Sequence, residues 1–390
     1  MEPVAILGGG PVGLTLALLL ARRQVPAVVF DARGLDKARR DRRLLALSRG
    51  TLDTLGTVLA MPAGALAPIR TVVVSSRGEF GRAVLSEAEL GGRPLGATVR
   101  YGDLVAALDA ACLQQPLVQV RRPCAVASLR QAPDAVTVEL SNGESLAVPL
   151  AVNAEGVGQP RTPREGGAAG SAGKFAQAAL IADVDVEGPP AGAAYERFTR
   201  DGPLALLPLP GGTSGASRAM ALVWCMPTEV ADRRERLGDD ALLRELQEEL
   251  GERNGRVRAI RARARHPLVE QARDDVREHR VVFVGNAAQT LHPVAGQGLN
   301  LGVRDCVALA DVVAAAAASG MDPGLRLADY ERLRRVDRLA IRALTRTAPG
   351  LFATRFAPVA VARSLGLTLL SILPDLRAEF ARVLMFGVRS

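Results

Sequence analysis

The sequence predicts an α/β protein whose parallel-sheet domain is discontinuous, interrupted by an inserted second β-sheet and followed by C-terminal helices. Three observations carry this. A buried run, a glycine-rich turn and an apolar helix open the chain, and a second buried run ends at Asp31. The middle of the chain turns to β runs with turn residues between them. Strand-turn-helix order then returns at Val281–Ala318. At 390 residues the chain exceeds the roughly 250–300 at which one core stops growing, so two lobes are expected.

In order, Val4–Leu7 reads as a strand, Leu14–Arg23 as a helix and Val25–Phe30 as the next strand, a compact βαβ opening. Thr71–Val74 is a strand that turns at Gly78–Gly81, and Tyr101–Leu113 is a helix. Val136–Leu140 and Ser145–Val148 form a hairpin, because Asn142-Gly143 suits a tight turn with positive φ. Gly166–Gly173, rich in Gly, Ala and Ser, reads as a loop. Ala178–Val186, Leu204–Leu209 and Arg218–Cys225 are strands of the second sheet, and Asp239–Leu250 is an amphipathic helix. Val281–Val284 is a buried strand, Leu299–Ala318 a helix, and from about Ala328 the chain is helical and arginine-rich. The expected division is a first domain from 1–71, 98–175 and 265–345, a β-sheet domain from 72–97 and 176–264, and a helical segment 346–390.

A chain with 48% hydrophobic and 23% charged residues is not disordered. No apolar run reaches the roughly 18 residues of a spanning helix; Pro11–Ala21 and Ala308–Ala318 fall short. The opening residues have no basic stretch, so a secretory signal is not expected. The formal charge is +8, and every cation except Lys37 and Lys174 is arginine. These arginines alternate with acids, as in Arg233-Arg234-Glu235-Arg236, which reads as a solvated surface rather than a nucleic-acid patch. The excess also suits an anionic membrane surface or an acidic partner. Four scattered cysteines without C-x-x-C spacing fit reduced thiols in a cytoplasmic protein, and three distant histidines do not suggest a metal site.

The first chemical segment is Gly8-Gly9-Gly10-Pro11-Val12-Gly13 between strand and helix. Gly8 permits the tight turn, Gly10 lets backbone approach a pyrophosphate, and Gly13 lets the helix pack on the strand. The free amides of the helix start would face the phosphates, and Asp31 would accept from two ribose hydroxyls. This pattern marks dinucleotide binding without separating NAD from FAD. In the second segment, Asp41–Ser48, an arginine would clamp phosphates with two parallel bonds; the competing reading is a surface cation on a loop. In the third, a buried strand ends in Gly285-Asn286, and Gly296 and Gly298 precede a long helix. Asn286 both donates and accepts, and the glycines permit close approach to a flat ring. His292 reads more readily as a packed residue than as a catalyst.

Together these segments resemble the ubiquinone-biosynthesis FAD-dependent hydroxylases. The run from Gly285 to Gly302 is similar to that subgroup's flavin motif, with Asn286 where wider relatives carry Asp. Glu196-Arg197-Phe198-Thr199, Gly202–Leu209 and Leu222–Cys225 resemble the branch that hydroxylates 2-polyprenyl-6-methoxyphenol. The resemblance runs from Val4 to about Leu370. It implies the Rossmann-like, glutathione-reductase-type FAD domain of group A flavoprotein monooxygenases. It also implies a cofactor-binding set: Gly8, Gly10, Pro11, Val12, Gly13, Asp31, Ala32, Arg43, Arg100, Glu155, Gly285, Asn286, Pro293, Gly296, Gly298, Leu299 and Asn300, with His292 and Pro293 as candidates at the flavin face. The implied activity is hydroxylation of a polyprenyl methoxyphenol by molecular oxygen through NAD(P)H-reduced FAD and a flavin hydroperoxide. Implied partners are other ubiquinone-biosynthesis proteins and the inner face of the membrane, through the apolar and arginine-bearing stretch Ala357–Leu384; a capping helix is the other reading of that stretch. Two departures stand out, Glu155 in place of the motif's Asp and Gln159 in place of its Ser. They keep open a catalytically silent FAD-binding subunit, beside hydroxylation of another ring position. No catalytic base is legible among Tyr101, Tyr195 and Tyr330.

Overall fold

The opening run Val4–Leu7 is buried at all four positions, as a strand covered on both faces must be. In a computed structural model, which describes residues 2–79, 81–156, 173–214, 217–292, 296–353, 364–366, 368–369 and 371–387, this strand lies inside a six-stranded sheet. The spatial order is Arg277–Glu278, Val281–Phe283, Ala151–Asn153, Val4–Leu7, Ala27–Phe30 and Val118–Arg121. All pairs are parallel except the edge pair at Arg277–Glu278. Strands remote in sequence therefore end side by side, and the turns that follow them share one edge. A three-stranded antiparallel sheet, Val126–Gln131, Val136–Leu140 and Ser145–Val148, packs its apolar side into the same core.

The larger sheet has eight strands, ordered Gln289–Thr290, Arg256–Ala272, Gly173–Glu187, Ser217–Pro227, Pro203–Ser214, Ala193–Phe198, Thr71–Ser76 and Arg82–Ser86. One face buries Trp224, Val184 and Leu206 under Leu242, Leu246 and Leu250 of the helix Asp239–Leu250. The other face packs Ala194, Val72 and Leu207 with Leu95 and with Ala381 of the helix Pro374–Phe386. A small antiparallel sheet, Leu44–Ser48, Gly96–Arg100 and Ala67–Ile69, joins the two halves. Its Thr98 hydroxyl donates to the Pro208 carbonyl at 2.5 Å, and Arg100 pairs with Asp183 at 3.0 Å.

Several boundaries move for local reasons. The first helix begins at Pro11 rather than Leu14, because proline at the first turn has its φ preset and gives up no needed N–H. The second strand begins at Ala27, after Pro26. The long helix begins at Gln297, two residues before the expected Leu299. Gly173 belongs to the strand Gly173–Glu187, whereas 166–172 lie outside the described residues. The C-terminal helix run is not continuous. It breaks at Leu373, whose φ of −97° and ψ of 100° lie outside the helical region before Pro374, as pre-proline crowding demands. The stretch weighed as a loop cation, Asp41–Ser48, carries a strand at Leu44–Ser48, paired with Gly96–Arg100. No helix among the described residues is long and apolar enough to cross a membrane.

Candidate functional site

The glycine turn after the first strand is built by backbone contact. Gly8 has φ +108°, and its N–H donates to the Phe30 carbonyl at 2.7 Å. A Cβ there would lie 2.6 Å from the Ala154 carbonyl oxygen, and one at Gly13 would lie 1.9 Å from the Gly8 oxygen. A turn at Gly8 and close packing at Gly13 are the roles those glycines were expected to fill. At Gly10 a Cβ would meet only the Tyr101 hydroxyl, at 3.2 Å, so the helix start is otherwise open. The first-turn amides of Pro11–Arg22 have no acceptor within the helix, and its dipole adds partial positive charge there.

Asp31 is buried at the end of its strand. One carboxylate oxygen accepts from the Gly9 N–H at 2.9 Å and the other from the Arg33 N–H at 2.8 Å. Ala32 follows it, exposed at the mouth of the turn. Arg43 bonds the Asp41 carboxylate at 2.6 Å, with its guanidinium carbon 4.8 Å from the centre of the Tyr101 ring. Burial opposes ionisation of Asp41, but bonds from Arg43 outweigh it and hold the carboxyl below its ordinary range. Arg100 donates to the Arg42 carbonyl at 2.7 Å while pairing with Asp183, and so braces the segment that carries Arg43, just before the strand Leu44–Ser48. Glu155 has its N–H bonded to the Asn153 side chain at 3.1 Å and its backbone against Gly8.

The second glycine turn meets the first at Val12. Gly285 has φ +58°, and its missing Cβ would lie 3.0 Å from a Val12 methyl; at Gly302 it would lie 2.9 Å from the same methyl. The Cys306 thiol donates to the Val12 carbonyl at 3.3 Å. Two helices nearly 300 residues apart thus cross, the start of the first against Gly302 and Cys306 in the N-terminal half of the second. Gly296 caps the second helix in a left-handed conformation, 2.9 Å in Cβ terms from Ala46 of the Leu44–Ser48 strand. Asn300 ties that strand down: its oxygen accepts from the Ser48 N–H at 2.8 Å, and its amide donates to the Ala46 and Gly296 carbonyls at 3.0 and 2.8 Å. Asn286 is exposed on its turn, with its oxygen facing Gly298, and Leu299 is half-buried beside it. His292 is buried, its Nε2 3.2 Å from the Gln177 amide oxygen on the larger sheet, and burial pushes its imidazole down to about 4. Pro293 and Gln159 lie outside the described residues.

Two supporting residues escape a reading of motifs. Arg122 is buried beneath the first turn, donating to the Gly9 carbonyl at 2.9 Å and lying 3.3 Å from Asp109. No sequence pattern marks it. Asp305 is fully buried; it accepts from the Gly285 N–H at 3.3 Å and from Arg334 at 2.7 Å. Its signal was available as an acid inside the apolar helix run 297–318. Burial opposes the charge of Arg334, but Asp305 and Asp337 outweigh it and raise its pKa. Arg304 continues this network from Asp337 to Gln297, at the start of the second helix.

A strand-terminal glycine turn, open helix amides, a buried acid at the second strand end and a second glycine turn beside them fit a dinucleotide with a flat ring. The fold and this constellation define a flavin-dinucleotide oxidoreductase class. The chain belongs to the FAD binding domain family, which matches residues 1–343. It is 34% identical over 387 residues to ubiquinone hydroxylase UbiL of Rhodospirillum rubrum, spanning 97% of this chain and 88% of that one. It is 30% identical over 377 residues to the 3-demethoxyubiquinol 3-hydroxylase of Escherichia coli, spanning 93% of each. Among solved structures, p-nitrophenol 4-monooxygenase PnpA from Pseudomonas putida shares the fold at TM-score 0.75 and 19% identity, over 100% of this chain and 99% of that one.

Proposed function

We propose that this protein is an FAD-dependent monooxygenase that hydroxylates a polyprenyl-substituted methoxyphenol in ubiquinone biosynthesis, with NAD(P)H as the reductant. The observation that carries the reading is the meeting of two glycine turns at Val12, where the turn at Gly285 packs on the start of the first helix. When bound, FAD supplies electron transfer from the nicotinamide and activation of molecular oxygen. The chain's own residues bind and orient. Gly8, Gly10 and Gly13 with the amides after Pro11 and Val12 receive the pyrophosphate, and Asp31 beside Ala32 keeps lone pairs for the ribose. Arg43 reaches the cofactor from the segment that Arg100 braces ahead of the strand Leu44–Ser48, and Glu155 closes the turn behind Gly8. Gly285 and Asn286 meet the ribityl–phosphate region. Gly296, Gly298 and Leu299 face the ring, while Asn300, with its three polar contacts used within the protein, positions that turn. His292 stays neutral at neutral pH and holds Gln177 of the larger sheet against the flavin turn, which helps exclude water.

Peripheral membrane association is part of the proposal. The C-terminal segment exposes Leu365, Leu369, Ile372 and Leu376, an apolar face suited to a lipid surface that stores the polyprenyl substrate. Three measurements test the reading: the visible spectrum of the purified protein, phenol-dependent NAD(P)H oxidation, and product mass. A yellow protein that adds one oxygen atom to the phenol is the expected result. Bound flavin with no phenol-dependent turnover would instead make the chain a silent subunit, and a folded protein that takes up no FAD would end the proposal.

A further inference from the structure

A cavity of about 570 Å³ opens on the larger sheet between the sheet itself and the turn 251–256. Its floor includes Val73, Ala193 and Tyr195. These side chains belong to the core under the helix Asp239–Leu250, whereas their neighbours Val72 and Ala194 face the opposite side. Asp183, which holds Arg100, lies between Ala182 and Val184 of that helix-covered core and therefore points to the other face. The cavity is thus on the far side of the sheet from the flavin turns.

The rim is cationic and held in place. Arg82, Arg253, Arg256 and Arg258 line it against Glu187 and Glu252, and Glu187 is already bonded to Arg258. Arg82, Arg253 and Arg256 are exposed and meet no carboxylate among the described residues. The turn carrying Arg253 and Arg256 is fixed by buried Asn254, which donates to the Leu250 carbonyl at 2.7 Å. Gln247 clamps it further, donating to the Gly255 carbonyl at 3.2 Å and accepting from Val257 N–H at 2.8 Å. Gly255, at φ +109°, crosses the end of the neighbouring strand so closely that a Cβ would lie 2.8 Å from the Glu187 carbonyl. Tyr195 is only 6% exposed, and its hydroxyl has no hydrogen-bond partner among the described residues. Burial pushes its phenol up, with the Arg82 charge opposing, so it remains a protonated donor.

We propose that this cavity is a second ligand site, one that takes a small phosphorylated molecule. Guanidinium groups at the rim receive the phosphate, the Tyr195 hydroxyl donates from the floor, and an apolar body rests on Val73 and Ala193. The backbone of the turn that carries two of these arginines is already fixed, so ligand binding need order only their side chains, which lowers the entropic cost of capture.

The test uses FAD-loaded, full-length protein and inorganic pyrophosphate as the probe, titrated calorimetrically. Saturable one-to-one binding is expected. R253Q/R256Q should weaken it at least tenfold and Y195F severalfold, with an unchanged flavin spectrum and thermal midpoint. R244Q, an exposed arginine on the helix that covers the sheet, should leave it unaltered. A second arm adds phosphatidylglycerol vesicles, with phosphatidylcholine vesicles as control. Competition between vesicles and pyrophosphate, lost in R253Q/R256Q, upholds the site with a lipid headgroup as its source of phosphate. Pyrophosphate binding indifferent to vesicles upholds it for a free ligand. Absence of saturable binding, or binding equally strong in R253Q/R256Q, overturns the proposal whether or not the flavin is bound.

Discussion

Replacing Arg122 with methionine tests how the first glycine turn is held. The Gly9 peptide is fixed at both ends, its N–H by Asp31 at 2.9 Å and its carbonyl by Arg122 at 2.9 Å. The Arg122 side chain is 7% exposed and Asp109 8%, with 3.3 Å between them, close enough for attraction yet misaligned for a hydrogen bond. Nε and Nη1 of Arg122 have no hydrogen-bond partner among the described residues, so this is an ion pair with little geometric optimisation. Removing one member of a buried pair strands the other, at about 3–5 kcal/mol. R122M should therefore lower unfolding stability by that amount in urea titrations. R122M/D109L removes the stranded charge as well and should recover the part of the loss that the charge causes. The Gly9 carbonyl stays unclamped in the double variant, however. A lost bond from a charged donor is worth about 1.5–3 kcal/mol. With about half of that expressed in cofactor binding, FAD affinity falls roughly four- to twelvefold, read by flavin fluorescence quenching on the apoprotein. A double variant that binds FAD as tightly as wild type would refute the clamp, leaving Arg122 as a counter-ion alone. A single variant that loses under about 1 kcal/mol would refute the buried-pair energy.

Three further outcomes follow from the same geometry. His292 is held near 4, below the ordinary 6.5, so the unfolded chain binds a proton that the folded chain does not; stability should fall by up to about 3 kcal/mol as pH drops from 6.5 through 4, and H292Q should flatten that slope in urea midpoints. N300A removes three hydrogen bonds and leaves the Ser48 N–H and two carbonyls in want of partners, which should cost about 2–3 kcal/mol in unfolding titrations and weaken FAD binding. G285A forces a side chain into φ +58° and against Val12, costing about 1–3 kcal/mol for the backbone alone; V12A relieves the contact but not the backbone strain, so calorimetric stability should recover only in part.

The fold was legible where sequence patterns are local. A strand, a glycine turn and an apolar helix adjoin within the first 23 residues, and Asn142-Gly143 encodes its hairpin without reference to anything distant. Leu44–Ser48 was not legible as a strand, because its pairing partner is Gly96–Arg100 and its five residues lack a clear period. The same holds for Arg256–Ala272, a strand of 17 residues whose alternation is broken by register shifts against Gly173–Glu187 and by Ala262 at φ +52°. Helix starts were misjudged by two or three residues at Pro11 and Gln297, since proline and glycine read as breakers when they in fact set the first turn.

The site divides along the same line. Its glycines announce themselves, but the reason for each glycine is often elsewhere in the chain. Gly302 looks from sequence like an ordinary small residue in a helix, and its constraint is a Val12 methyl 2.9 Å from where its Cβ would be. Gly9 looks redundant beside Gly8 and Gly10, yet a Cβ there would lie 2.3 Å from the Arg122 guanidinium. Arg122 in turn is one arginine among 47 in the chain, and only the fold shows that its side chain is buried against Asp109. A motif therefore records where backbone must come close to a ligand. The ion pairs that hold that backbone, Arg122–Asp109 under the first turn and Arg334–Asp305 under the second, come from tertiary packing of residues 13 and 29 positions apart, in spacings no motif fixes. Substitutions there should alter cofactor affinity without touching a residue of either glycine segment, which is where a reading based on motifs alone would go wrong.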